Sequence, residues 1–374
     1  MVFLGRTRRI HFVGVGGIGM SGIAEVLLNL GFDVSGSDLR GSDITARLQS
    51  LGAAIWQGHE GSHVAGADVV VYSSAVSPDN PEIVEARKQG IPIIPRGEML
   101  AELLRLKYAV TVGGAHGKTS TTSLVASVLA RGGLDPTVIV GGKVRALSSN
   151  ARLGGSRYVV AEADESDGQF VNLPSSVAVI TNIDLEHLDF YPDLRAIEDA
   201  FVVYANRVPF YGAVILCADD ARVMEIAPRI KPRKVTYSLG GEADVTGRVV
   251  ERGPGWSRFA LAHARGELGD VTLHIPGDHY ARNAVAAVAV GLWLDLPFDQ
   301  IKEGLEQWQV QHVEPDGGVN EAQPAVQFIR RVVADLSVHD HSRHPPALVP
   351  TQCIDDQGSA DAAPLGLRVD GEAL

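Results

Sequence analysis

The chain has 374 residues, more than one hydrophobic core comfortably serves, so two or three domains are expected. Its 33 Lys+Arg against 45 Asp+Glu leave a net charge of -12, which argues against a sequence-independent grip on nucleic acid or an anionic membrane and requires any phosphate to be held at focused sites. The two cysteines, Cys217 and Cys353, lie far apart without metal-ligand spacing, which excludes a disulfide framework or zinc site and fits a reducing, cytoplasmic setting.

In chain order, the opening MVFLGRTRRIHFVGVGG is basic and then apolar, but its apolar run is too short and glycine-broken for a signal sequence or membrane span, and it reads as the lead-in to a strand. Strand-length apolar runs then alternate with longer amphipathic ones: IHFVGVG, GMSGIAEVLLNLG, FDVSGSD and ADVVVYSS, closing with a strand and helix in 91-IPIIPRGEMLAELLR-105. That rhythm predicts a parallel sheet with helices on its faces. A second α/β unit begins at 108-YAVTVGGAHGKTS, with further strands at 137-TVIVGG, 157-RYVVAEAD, 177-VAVITNID and 213-AVILCAD. Shorter alternating runs from about 235 to 275 read as antiparallel hairpins, followed by helices at 281–294 and 298–308. After Trp308 the pattern fails. Residues 309–374 contain no lysine and only one helix-length run, 325-AVQFIRRVVADL-336, so an irregular or loosely docked tail is expected.

Two glycine-rich loops carry the chemistry. Gly14, Gly16 and Gly19 form GxGxxG between a predicted strand and helix, and Asp38 ends the next strand about where an acid would reach a ribose. Glycines let backbone approach a pyrophosphate and the helix N-terminus supplies N–H donors, so this loop alone fits NAD as well as any other nucleotide diphosphate. The second loop, 113-GGAHGKTST-121, places Gly114, Gly117, Lys118 and Thr119 at P-loop spacing, with a lysine for the outer phosphates and a hydroxyl for Mg2+. It is a shortened variant, because Val112 stands where a strict Walker A loop has its first glycine. Carboxylates crowd 159-VVAEADESDGQF-170 around Glu162, and His187 lies among acids in 180-ITNIDLEHLDFYPD-193, both just past predicted strands. Ligands bind beyond strand carboxyl ends in open α/β sheets, and clustered carboxylates there suit a magnesium nucleotide.

These motifs together resemble the Mur ligases, on HFVGVGGIGMSGIAEVLLNLGFDVSGSD, YSSAVSPDNPE, PRGEMLAELLR, GAHGKTSTT, EADESDGQF, TNIDLEHLDFY and PGDHYARNAVAA. The resemblance implies a Rossmann-like UDP-substrate domain over 1–106, a central P-loop ATPase domain over 107–308, and ATP-dependent amide ligation through an acyl phosphate in cell-wall precursor synthesis. UDP-N-acetylmuramate and L-alanine are the implied substrates. Gly16, Gly17, Ile18, Gly19, Ser37, Asp38, Ser73, Ser74 and Arg96 would serve the UDP substrate, and Gly114, Ala115, His116, Gly117, Lys118, Thr119, Ser120 and Asn283 would serve ATP. Lys118, Glu162 and His187 are the implied catalytic residues, with Thr119, Glu162 and His187 as Mg2+ ligands.

Departures from the family pattern are Ala115 and Ser120, where threonines are usual, and the lack of any lysine between Lys143 and Lys231 for a carbamylated metal ligand. Residues 309–374 stand in place of a third, Rossmann-like domain, with Arg330, Arg331 and 339-HDHSRHPP-346 as faint echoes of its segments, as a truncation or frame shift would leave. A ligase by ancestry and a UDP-sugar and ATP binder without turnover are therefore both expected readings, with homo-oligomerisation left open.

Overall fold

The computed structural model describes residues 4–105, 107–140, 151–166, 168–188 and 190–308. The tail and its expected helix at 325–336 lie outside them.

The first sheet is all parallel and consists of β1 (Arg9–Val13), β2 (Asp33–Asp38), β3 (Ala54–Gln57), β4 (Val69–Tyr72) and β5 (Ile93–Pro95), in the order β3-β2-β1-β4-β5. Helices α1 (Ile18–Asn29), α2 (Asp43–Ser50), α3 (Pro81–Gln89) and α4 (Arg96–Arg105) connect and follow these strands, as the alternating apolar pattern predicts. β1 lies between β2 and β4, so the order reverses beside it and the loop after β1 opens at a switch point.

The second sheet has ten strands. β6 (Tyr108–Gly113), β7 (Thr137–Ile139), β8 (Ala151–Arg152), β9 (Tyr158–Glu162), β10 (Val177–Ile180), β11 (Ala213–Cys217) and β12 (Lys234–Leu239) are followed by β13 (Val245–Gly253), β14 (Trp256–His263) and β15 (Gly266–Leu273). The order is β15-β14-β13-β12-β11-β10-β6-β9-β7-β8, with β6 between β9 and β10, again a switch point. Side chains alternate between two cores: Val110 and Val112 enter one with α5 (Lys118–Arg131) and α8 (Asp278–Trp293), while Thr111 bonds Ser175 and Tyr204 on the other face, where α6 (Leu194–Asn206) packs.

The expectation of hairpins throughout 235–275 needs one correction. β13, β14 and β15 are antiparallel, but β12 is parallel to both β11 and β13. Helix α7 (Ala221–Ile226) carries the chain from β11 back across to a parallel β12; β13 then starts after a short link beside the end of β12, with Val245 opposite Tyr237, and only short turns separate β13, β14 and β15. α8 starts at Asp278, three residues earlier than its apolar run suggests, and α9 (Phe298–Glu306) ends just before Trp308, whose indole donates to Ser123 Oγ at 2.8 Å.

The two sheets are joined through α1 and α4, which pack on β7, β8 and the short turn at Gln169–Asn172. Gly97 permits that approach, since a Cβ there would come within 2.6 Å of Gln169 Cβ. A contact with backbone lies between α9 and α5, where a Cβ on Gly304 would stand 2.7 Å from Val128 Cα and 3.1 Å from Ser127 O. Alanine normally stabilises a helix relative to glycine by about 1 kcal/mol. Here the clash is with backbone, which yields poorly, so Gly304→Ala is expected to destabilise the protein by a net of about 1–2 kcal/mol, measured by urea unfolding. An unchanged or higher midpoint contradicts the packing described.

Candidate active site

The first glycine loop is fixed from beneath by β2. Ser37 O accepts the N–H groups of Gly14 and Val15 at 2.8 and 3.0 Å, and Asp38 Oδ2 accepts the Gly16 N–H at 2.9 Å. Each glycine answers a different constraint: Gly14 has φ +82°, a Cβ on Gly16 would come 2.8 Å from Asp38 Oδ2, and a Cβ on Gly19 would come 2.3 Å from Arg96 Nη1. Gly17 is the N-cap of α1 and Ile18 its first residue, so the expected strand–loop–helix geometry is present. Asp38, at the end of β2 as expected, holds the loop itself with one oxygen and accepts Arg40 N–H at 3.3 Å on the other, so it shapes the loop. Ser73 is half-buried beside Gly14, with its N–H on Val13 O at 3.3 Å, and Ser74 is exposed.

Ser37 is fully buried, and its hydroxyl belongs to a network that sequence reasoning did not find. Ser37 Oγ donates to Glu82 Oε2 at 2.5 Å and lies 2.9 Å from His59 Nδ1. His63 Nδ1 is 2.6 Å from Glu82 Oε1, and the buried His11 places Nε2 3.5 Å from Glu82 Oε2. Glu82 sits in the first turn of α3, capped by Asn80, and the sequence NPE signals that helix start but not that the glutamate turns inward. Burial would push its carboxyl up, yet the hydrogen bonds from His11, Ser37 and His63 outweigh this and hold it at about 2.

The second glycine loop leads from β6 into α5. Gly114 has φ +135° and leans on β10, where a Cβ would lie 2.1 Å from Thr181 Oγ1. Thr181 Oγ1 donates to His116 O at 2.8 Å, while Asn182 brackets His116, accepting its N–H on Oδ1 and donating Nδ2 to its carbonyl, both at 2.8 Å. Asn182 O also takes the Ala115 N–H at 3.2 Å. The amides of Ala115 and His116 are thus engaged within the protein, and the N–H groups of the first turn of α5, from Lys118 through Ser120, are the ones a helix leaves for an anion. Thr181 and Asn182 escaped notice as site residues, although TN directly follows the strand beside β6. Asn283 of α8 reaches the same loop, its Oδ1 3.0 Å from where a Gly117 Cβ would stand.

Lys118 folds back over its loop. Its Nζ donates to Gly114 O at 2.8 Å, Ala115 O at 3.3 Å and Glu165 Oε1 at 2.7 Å. Glu165 was not singled out within EADESD, yet it, and not Glu162, also meets His187, whose Nε2 is 3.5 Å from Glu165 Oε1. Burial pushes the Glu165 carboxyl up, against the opposing charge of Lys118. Glu165, Glu186 and His187 each offer a ligand atom within 4.8 Å of the others, the only such group among the described residues. His187 has φ +57°, a backbone conformation that costs a non-glycine residue about 1–3 kcal/mol and tends to occur at functional sites. Glu162 ends β9, almost buried, and instead lines a narrow cavity of about 20 Å³ with Gly19, Arg96 and Asp164. There Arg96 Nη2 donates to Asp164 Oδ2 at 3.1 Å, linking the two glycine-loop regions. Burial raises the Asp164 carboxyl, but Ser166 and the Arg96 charge outweigh it and leave the group below its usual range.

Beside the P-loop opens a cleft of about 730 Å³ lined by His116, Gly117, Ser120, Asn182, Tyr280 and Asn283 among others. Arg222 and Arg282 line it too, held by Asp184 at 2.6 Å and Asp219 at 2.9 Å. It is roomy enough for a nucleoside.

The Glu82 network yields a test. Its carboxyl is depressed on folding from the usual 4.5 to about 2, so its contribution, on the order of 3 kcal/mol, is present above pH 4.5 and is lost as pH falls towards 2. Glu82→Gln should be clearly less stable than the parent at pH 7, and the gap should close between pH 4.5 and about 2 in denaturant titrations. A gap independent of pH contradicts the charge's role.

Residues 9–108 match the Mur ligase family, catalytic domain, and residues 112–291 the Mur ligase middle domain. The UDP-N-acetylmuramate--L-alanine ligase of Desulfosudis oleivorans is 57% identical over 297 residues, 79% of this chain and 65% of that protein. That of Geotalea daltonii is 50% identical over 342 residues, 91% of this chain and 72% of that protein. The chain thus spans about 65% of the length of the first of these relatives. Among solved structures, the UDP-N-acetylmuramate-alanine ligase of Thermotoga maritima superposes with a TM-score of 0.71 at 31% identity, covering 81% of this chain and 69% of that one. The UDP-N-acetylmuramate:L-alanyl-gamma-D-glutamyl-meso-diaminopimelate ligase from Neisseria meningitides gives 0.74 at 25% identity, covering 83% of this chain and all of that one. With two family domains in sequence and relatives at half identity or better, the chain belongs to the Mur ligase family.

Proposed function

We propose that this chain serves an ATP-dependent ligase joining L-alanine to UDP-N-acetylmuramate through an acyl phosphate, with 1–106 as the UDP-substrate domain and 107–308 as the ATP domain. The observation that carries the reading is the meeting of two glycine loops, each at a switch point of its own sheet, across the Arg96–Asp164 pair. Two phosphorylated molecules bound there would approach each other between the sheets. The curated relatives named for that reaction support the choice of substrates.

In this reading the first-turn amides of α5 and the Lys118 ammonium hold the β- and γ-phosphates, and Asn283 borders the nucleoside. Donors that would hold Mg2+ are the Thr119 hydroxyl and the Glu162 carboxylate for one ion and the imidazole of His187 for a second, beside the buried Glu165, whose Oε2 has no hydrogen-bond partner among the described residues. When bound, Mg2+ would screen the repulsion between the muramoyl carboxylate and the γ-phosphate. A carboxylate oxygen attacks the γ-phosphorus, ADP leaves, and the L-alanine amine then displaces phosphate from the acyl group. On the UDP side, α1, which begins at Ile18, would present the positive end of its dipole to the diphosphate, and Arg96 supplies a nearby positive charge.

The full chain is expected to be stabilised against heat by ATP with Mg2+, by about 2.7 kcal/mol at 100 times the Kd. Lys118→Ala should abolish that gain, and an unchanged gain removes the P-loop assignment. UDP-N-acetylmuramate should stabilise the chain more than NAD does. Mass spectrometry after incubation with UDP-N-acetylmuramate, ATP, Mg2+ and L-alanine separates ligation from binding alone: amide product supports the ligase, and binding of both nucleotides with no amide leaves a binding protein.

A further inference from the structure

Glu165 carries a role that the family assignment of the loop does not supply. Its backbone is pinned, with the carbonyl accepting Tyr191 OH at 2.8 Å and Gly168 N–H at 3.1 Å. The side chain is only 4% exposed. Oε1 is shared between Lys118 Nζ at 2.7 Å and His187 Nε2 at 3.5 Å, and Oε2 is buried without a hydrogen-bond partner among the described residues. A buried carboxylate is costly without a counter-charge, and Lys118 is the one in contact with it. Lys118 is also the group that a triphosphate would claim.

We propose that Glu165 is a stand-in anion, holding the Lys118 ammonium over the P-loop in the nucleotide-free protein and, once the triphosphate takes the lysine, giving its carboxylate to a divalent cation beside Glu186 and His187. This rests on the reading of the loop as an ATP site. Glu165 is then a positioning residue, acting on the nucleotide through Lys118. The exchange has a thermodynamic consequence. Nucleotide without a cation leaves the carboxylate buried and uncompensated, so cation and nucleotide must each tighten the binding of the other. Removing the charge abolishes both the competition for Lys118 and that penalty.

The test is calorimetric titration of the full chain with ATP, first in EDTA and then in Mg2+, for the parent, Glu165→Gln, Glu165→Asp and Lys118→Ala. Glu165→Gln should bind ATP in EDTA about 5-fold or more tightly than the parent, and the further gain on adding Mg2+ should shrink by a similar factor. Glu165→Asp keeps the charge and should keep the parent's weak binding in EDTA and most of its Mg2+ dependence. A merely structural glutamate would not give tighter binding when replaced. If Lys118→Ala loses ATP while Glu165→Gln binds no tighter in EDTA, or keeps the parent's full Mg2+ gain, the inference is overturned and the ATP reading stands. If Lys118→Ala binds ATP as the parent does, the ATP reading itself fails and takes the inference with it. Should Glu165→Gln melt well below the parent without ligand, Glu165→Asp decides: ATP affinity in EDTA and a Mg2+ gain that both match the parent support the exchange, whereas loss of the Mg2+ gain with the charge retained overturns it.

Discussion

The Arg96 guanidinium lies against Gly19 on one side and donates to Asp164 on the other. Much of the site's geometry depends on this placement. A side chain at Gly19 would occupy the guanidinium's position, and without Arg96 the burial of Asp164 would no longer be offset by its charge. One charged pair between the two sheets thereby links the loop regions that each sheet opens at its switch point. The pair is only partly exposed, so its attraction is screened less than that of a surface ion pair.

Around this link the protein treats its ionisable groups in two ways. In the first sheet, Glu82 is fully enclosed and satisfied by histidines and Ser37, which gives β2 and α3 a fixed relation beneath the glycine loop. Beyond the second sheet, Glu165 is nearly as buried but only half satisfied, with one oxygen on Lys118 and the other without a hydrogen-bond partner among the described residues. Hydrogen bonds that satisfy a buried carboxylate hold its surroundings rigid, whereas a buried carboxylate oxygen without one is costly in the low local dielectric. The same contrast separates Asp38, engaged with its own loop, from Glu165, Glu186 and His187, whose ligand atoms converge within 4.8 Å of one another.

Many of the strands, several helices and both glycine loops were legible from residue order because their causes are local. The period of apolar residues placed β1, β6, β9, β10 and β11, and glycines followed by small or hydroxyl residues marked the loop-to-helix turns at Gly17 and Gly117. The family's motifs located Lys118, Glu162, His187, Asn283 and Arg96 by number. What misled was also local reasoning: β12 lies in a segment whose short runs look like hairpins, but it joins the parallel sheet because α7 precedes it.

Sequence alone determined that the chain has two glycine-rich loops, each between a strand and a helix, with a lysine and carboxylates near the second. Only the tertiary structure decided which carboxylate faces which cation. Glu162 and Glu165 are three residues apart, but beyond the end of β9 the chain leaves the strand's alternation, and the turn directs Glu165 to Lys118 and His187 while Glu162 meets the cavity beside Arg96. Likewise no local signal reveals that Asn182 would occupy the amides of Ala115 and His116, or that Glu82 would turn inward among three histidines. Such pairings join groups that are tens of residues apart, and they are set by strand order and helix packing, which residue-by-residue periodicity does not encode.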